Sequence, residues 1–219
     1  MWSPRFAAGG PSARDASVTV VALGARDAAL FRIKGAAWQA PLVTGTGLDP
    51  AVEGSGRAPT LTLFCGLPGS GKTTLARRLE AAGHGVRICT DDWQAELGVD
   101  HADTGFHDRL QPVLYRHALD LLRHGVDVIL EDGLWMREER VQKFSDARAA
   151  RARIELHVLD VPLDILWARL QRRNEDAVLG AYPMTYEELQ WSGSLFEQPT
   201  PEELSTVDHY VVHRGGLGE

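Results

Sequence analysis

From residue 60 onward the sequence predicts an α/β fold, a parallel sheet covered by helices on both faces. Three observations carry that expectation. Short apolar runs alternate with stretches of helical periodicity, as in repeated strand–helix crossovers. A glycine-rich loop joins the first such run to the first helical stretch. Acidic residues directly follow the second and third runs, at the carboxyl edge where open sheets of this kind take their ligands.

Taken in order, residues 61–65 (Leu-Thr-Leu-Phe-Cys) read as a buried strand and 72–82 as the helix after the glycine-rich turn. Residues 86–90 read as a second strand. Over 106–124, Leu110, Leu114, Ala118, Leu121 and Leu122 share one face of a helix. A third strand over 126–130, a helix over 137–150, a fourth strand over 154–161 and a helix over 163–173 follow. Thr185 with Glu188, and Thr200 with Glu203, have capping-box spacing, and Pro201 sits at the favoured first helical position. Residues 210–212 read as a short last strand.

The first 58 residues differ. They hold six basic and four acidic side chains, whereas 59–219 hold 17 basic and 26 acidic ones. Residues 18–23 and 28–33 are β-prone runs around Gly24-Ala25-Arg26-Asp27, a possible hairpin, and 41–59 have the Gly/Pro content of a linker. The expected organisation is therefore an N-terminal extension over 1–58 and a catalytic-type domain over 59–219. The acidic balance of the second part lacks the basic footprint of a nucleic-acid binder. No apolar run approaches the roughly 18 residues of a membrane span. Cys65 and Cys89 are too few for a disulfide framework. The expected setting is a reducing cytoplasm.

The most informative motif is Gly66-Leu-Pro68-Gly69-Ser70-Gly71-Lys72-Thr73-Thr74. It satisfies G-x-x-x-x-G-K-[ST] with a strand before it and a helix after it. Glycines let backbone N–H groups close around a β-phosphate at the positive end of the helix. In such loops the lysine, here Lys72, reaches the β- and γ-phosphates, and the hydroxyl of Thr73 ligates Mg2+. The pattern points to ATP with Mg2+.

Thr90-Asp91-Asp92-Trp93 follows the second strand. One of these acids, Asp91 as the nearer to the strand end, faces the acceptor side of a γ-phosphate, where it can take the proton of an attacking hydroxyl. The same residues also suit a helix cap and first turn. After the third strand, Glu131 and Asp132 have the hydrophobic-then-acid pattern of a Mg2+-holding carboxylate. Neighbours there face opposite ways, so either fits. Arg169, Arg172 and Arg173 end the helix after the fourth strand, as a phosphate clamp or as a solvated C-terminus. Residues 174–183 read as a lid tip. Trp93 and Trp135 suit an acceptor pocket or the core equally.

Residues 60–174 resemble the small P-loop kinases of the zeta-toxin, chloramphenicol phosphotransferase and polynucleotide kinase group, chains often labelled AAA family ATPases. The resemblance rests on Gly66 to Thr74, Asp91-Asp92, Asp132, Arg169 with Arg173, and Leu159-Asp-Val-Pro-Leu163. It implies a five-stranded parallel sheet in the order 2-3-1-4-5, Asp91 as general base, and Arg169 and Arg173 gripping the phosphates. Polynucleotide kinases usually carry an arginine three residues after the base, where this chain has Gln94. The function expected is transfer of the γ-phosphate of ATP to a hydroxyl of a small molecule. The alternatives are a nucleotide switch or hydrolase gating a protein partner, and a nucleic-acid 5'-hydroxyl kinase.

Overall fold

The computed structural model describes residues 57–175 and 183–215. The hairpin expected over 18–33 and most of the lid tip expected over 174–183 lie outside the described residues. Five strands form one sheet in the order β2-β3-β1-β4-β5, every neighbouring pair parallel. They are β1 (Thr60–Cys65), β2 (Val86–Ile88), β3 (Val128–Leu130), β4 (Arg153–Asp160) and β5 (His209–Arg214). The helices are α1 (Lys72–Ala81), α2 (Thr90–Glu96), α3 (Thr104–Arg123), α4 (Arg137–Ala149), α5 (Leu163–Glu175), α6 (Tyr186–Leu195) and α7 (Pro201–Leu204). The expected sheet order is the observed one.

Strand alternation sorts the core into two faces. Leu61, Leu63 and Cys65 of β1, Val128 and Leu130 of β3, and Ile154, Leu156 and Val158 of β4 pack against α3 and α4 through Leu114, Ala118, Leu122, Phe144 and Ala147. Phe64, Ile129 and Leu159 face the other way, onto Leu75 and Ala76 of α1. Each fully buried leucine on these faces contributes about 1.5–3 kcal/mol. Leu67, Leu166, Leu170 and Leu189 make a third cluster that joins the glycine-rich loop to α5 and α6.

Thr185 and Thr200 cap α6 and α7 as their spacing implies, each accepting from the backbone three residues on. Several bounds differ from expectation: β3 begins at Val128 and not at 126, and β5 runs from His209 to Arg214 and not over 210–212. β2 stops at Ile88, Cys89 caps the next helix, and Thr90 already lies in α2. Cys65 and Cys89 are free and buried, with β3 between β1, which Cys65 ends, and β2, which Cys89 follows. Burial pushes their thiols up to about 11 and about 12, so both stay protonated at neutral pH.

Candidate functional site

The carboxyl ends of β1, β2 and β3 carry the candidate residues, and the loop after β1 organises them. Gly66 is there because nothing larger fits: a Cβ would lie 2.9 Å from Ser70 Oγ and 3.0 Å from Leu159 Cβ. Its N–H donates to the Gly133 carbonyl at 3.0 Å, tying the loop to the end of β3. Gly69 and Gly71 hold φ of +77° and +103°, the left-handed region that glycine occupies without strain. Lys72 opens α1, and its Nζ donates to the carbonyls of Gly66 (2.9 Å) and Leu67 (3.0 Å). Burial lowers its pKa to about 8, against the opposing charges of Glu131 and Asp91. Thr73 and Thr74 are exposed beside it, whereas Ser70 is buried with no hydrogen-bond partner for its hydroxyl among the described residues.

The two acids after β2 separate cleanly. Asp92 is bound by Arg87 and lies 3.4 Å from Arg77. Asp91 instead faces α3, with His107 Nε2 at 3.5 Å from its Oδ1. The hydrogen bond with His107, opposed by burial and helped by the charges of His107, His101 and Lys72, holds the Asp91 carboxyl below its ordinary range. Arg173 of α5 feels the same carboxylate. Lys72, Asp91 and Arg173 thus share one electrostatic neighbourhood. Arg169 is turned elsewhere, its Nη2 donating to the Gly215 carbonyl beyond β5 at 3.0 Å. Arg172 is exposed.

The acids after β3 also have different surroundings. Glu131, on the α1 face with Ile129, is ion-paired with Arg87. Asp132 turns to the opposite face, where Gln111 Nε2 lies 3.4 Å from Oδ1 and Lys143 Nζ 3.4 Å from Oδ2. Lys143 in turn lies 3.3 Å from the Tyr115 ring centre.

Sequence reasoning passed over Arg87. This side chain of β2 gathers Glu80, Asp92 and Glu131. Burial works against its charge, but Asp92 and Glu131 outweigh that and raise its pKa. The available signal was an arginine between two apolar residues in a parallel strand, next to the fully buried β3. His107 carried a weaker one, its place on the stretch after the acids.

Gln94 is fully buried, and its Nε2 donates to the carbonyls of Asp100 (2.6 Å) and Asp103 (3.3 Å). It fastens the loop between α2 and α3. Trp93 is 46% exposed. Trp135 packs on the cluster of Leu67, Leu166, Leu170 and Leu189, and its indole N–H donates to the Gly66 carbonyl at 3.2 Å. Trp135 is thus both packed on a cluster and bonded to the glycine-rich loop.

No described helix is long and apolar enough to cross a membrane.

A family model described as an AAA domain matches residues 61–197. No curated protein matches the sequence. Several solved structures share the fold. A presumed kinase from Chloroflexus aurantiacus j-10-fl is 18% identical with a TM-score of 0.57, over 72% of this chain and 86% of that one. Kti12 of Chaetomium thermophilum, solved with ADP-AlF3, is 19% identical with a TM-score of 0.55, over 70% and 88%. A chain of the Pnkp1/Rnl/Hen1 RNA repair complex is 23% identical with a TM-score of 0.53, over 64% of this chain and 47% of that one.

Proposed function

Starting from a chain that belongs to the AAA domain family over residues 61–197, we propose that it is an ATP-dependent phosphotransferase acting on a hydroxyl of a small molecule. The observation that carries this reading is the division of labour after β2. Asp92 is committed to Arg87 and Arg77, while Asp91 faces outward beside Lys72, His107 and Arg173. A carboxylate in that position suits a proton acceptor opposite a phosphate-loop lysine.

In the proposed reaction the backbone N–H groups of Gly69, Gly71, Lys72, Thr73 and Thr74 cradle the β-phosphate of ATP. Lys72 meets the β- and γ-phosphate oxygens, and Arg173 neutralises charge on the group in transit. The acceptor oxygen forms its bond to the γ-phosphorus as the bond to the β–γ bridging oxygen breaks. ADP leaves, and the hydroxyl proton passes to Asp91. Arg169, bonded to the Gly215 carbonyl, reaches the phosphates only by exchanging that contact.

The donors available to Mg2+ are all oxygens, the set that this hard cation takes. Thr73 offers an exposed hydroxyl, and Asp132 a buried carboxylate whose Oδ2 has Lys143 Nζ at 3.4 Å. Thr73 and Asp132 would hold the ion, with Glu131 behind them on Arg87. When bound, Mg2+ supplies charge neutralisation between the β- and γ-phosphates.

The buried carboxamide of Gln94, spent on the Asp100 and Asp103 carbonyls, supports a small acceptor over a nucleic-acid end. An arginine there would offer an acceptor phosphate a cation, and Gln94 offers none. The reading is tested by screening labelled ATP against a mixed library of hydroxyl compounds. Transfer to one class that is lost in Lys72→Ala is expected. Acceptor-independent hydrolysis alone would favour a nucleotide switch.

A further inference from the structure

Both carbonyls that hold Lys72 have a second donor. The Leu67 oxygen also accepts from Ser70 N at 3.2 Å, and the Gly66 oxygen from Trp135 Nε1 at 3.2 Å. The first donor is built into the loop. The second comes from 69 residues away in sequence. It belongs to the strap between β3 and α4, where Leu134 holds the uncommon φ of +41°. Arg140 of α4, fully buried, locks that strap: Nη1 donates to the Leu134 and Trp135 carbonyls, each at 3.1 Å. Its Nε and Nη2 donate to the two carboxylate oxygens of Glu203 in α7, at 2.5 and 3.2 Å.

A buried carbonyl that loses its donor costs more than an ordinary hydrogen bond is worth. Lys72 must exchange loop carbonyls for phosphate oxygens when nucleotide enters. The second donors remove that cost from the exchange. We propose that Trp135 is a positioning residue for nucleotide binding, its indole N–H keeping the Gly66 carbonyl satisfied when Lys72 turns to phosphate, with the Arg140–Glu203 pair holding the indole in place. The proposal rests on the reading that this loop binds ATP.

Calorimetric titration of the full chain with Mg-ATP tests it, using wild type, Trp135→Phe, Lys72→Ala and the double variant. Phenylalanine keeps a ring against Leu67, Leu166 and Leu170 but has no donor. Trp135→Phe should weaken ATP by about tenfold. The same change in the Lys72→Ala background should cost nothing further, because no lysine then leaves the carbonyl. If Lys72→Ala binds too weakly for titration, the indole N–H resonance missing from Trp135→Phe decides: in the wild type it should shift when Mg-ATP is added. Arg140→Met with Glu203→Leu removes both buried charges together, so neither is left alone. That variant should also bind ATP more weakly, and its Trp135 resonance should be displaced before nucleotide is added.

Equal affinity of wild type and Trp135→Phe overturns the proposal, as does an equal loss with and without Lys72, or an indole resonance that ignores ATP. Unaltered affinity and an unmoved resonance in the Arg140/Glu203 variant overturn the role of that pair. A wild type that binds no ATP while folded overturns the reading of the loop itself.

Discussion

His107 Nε2 stands 3.5 Å from Asp91 Oδ1, a contact between α3 and α2 at the mouth of the site. The two groups shift in opposite senses. The hydrogen bond to Asp91, opposed by burial and helped by the charges of Asp91, Asp108 and Asp132, raises the His107 pKa above 6.5. The Asp91 carboxyl is held below 3.8. A raised histidine contributes stability below its unfolded pKa and loses it as pH rises through the folded value. A depressed carboxylate contributes above its unfolded pKa and loses it as pH falls through the folded value. The pair is therefore worth most between pH 3.8 and 6.5. Thermal melting of His107→Gln against wild type should show its largest gap in that window and a narrowing gap by pH 9. The gap should be small and salt-sensitive, because Asp91 is largely exposed. A gap independent of pH would mean that His107 stabilises by packing alone.

Arg87 presents the opposite case, a guanidinium only 10% exposed that holds Glu80, Asp92 and the 5%-exposed Glu131. Arg87→Met leaves Glu131 buried without its counter-charge. Such losses cost about 3–5 kcal/mol. Urea unfolding should show the midpoint falling accordingly. Adding Glu131→Gln should recover part of it, since the residual cost is an unpaired charge and not missing packing.

Burial sets the Lys72 pKa at about 8, so the ammonium that meets phosphate is depleted in mildly alkaline solution. At one pH unit above that value, about a tenth of the free protein carries the charge, and ATP affinity should drop by about tenfold relative to pH 7. Lys72→Arg stays charged throughout. Its affinity, whatever its level, should be flat over the same range. Titrations at both pH values check the contrast.

A chain beginning at Ala58 should fold and bind ATP, which treats 1–58 as an extension to the domain over 59–219. The phosphate loop and all five strands of the described residues lie beyond residue 59. Truncation there removes the Arg57–Asp127 ion pair, 2.7 Å long and more than half exposed on the arginine side. Such a pair is worth little. Asp127 keeps its bond from Thr60 N at 2.6 Å. Loss of cooperative unfolding in the shortened chain would place part of 1–58 in the core.

The strands and long helices were legible because each obeys one period throughout. Leu61, Leu63 and Cys65 alternate with Thr62 and Phe64, and the Leu114–Ala118–Leu122 stripe repeats every four residues. The short α2 was hidden by its neighbour: Cys89 and Thr90 are as fit for a strand as for a cap and first turn, and the three-residue β2 gave no length to judge by. In the site, the glycine-rich loop carries its chemistry in local spacing. The partition of Asp91 from Asp92 does not, because it depends on Arg87, whose register opposite Ile129 brings it beside Glu131. Arg169 and Arg173 lie one turn apart on α5 and look equivalent in sequence. The fold distinguishes them: Arg169 donates to the Gly215 carbonyl after β5, and Arg173 feels the Asp91 carboxylate.

Lys72 and Asp91 should fail in different ways. Lys72 meets phosphates that are present in the ground state and in the transition state, so Lys72→Ala should weaken ATP binding and abolish transfer together. Asp91 acts on the acceptor hydroxyl as its proton leaves, so Asp91→Asn should not weaken nucleotide binding. Loss of a general base typically slows a reaction by ~10²–10⁴, or roughly 3–5 kcal/mol of barrier. Removing a negative charge that Lys72 and Arg173 both feel should tighten ATP slightly, because neither cation is then shared. ATP affinity and single-turnover transfer, measured on both variants with the acceptor found by screening, decide the matter. Near-normal transfer by Asp91→Asn would reduce Asp91 to a residue of the first turn of α2. Asp92 could not simply replace it, since its carboxylate is engaged by Arg87 and Arg77. The reaction would then proceed through a transition state loose enough to need little proton removal.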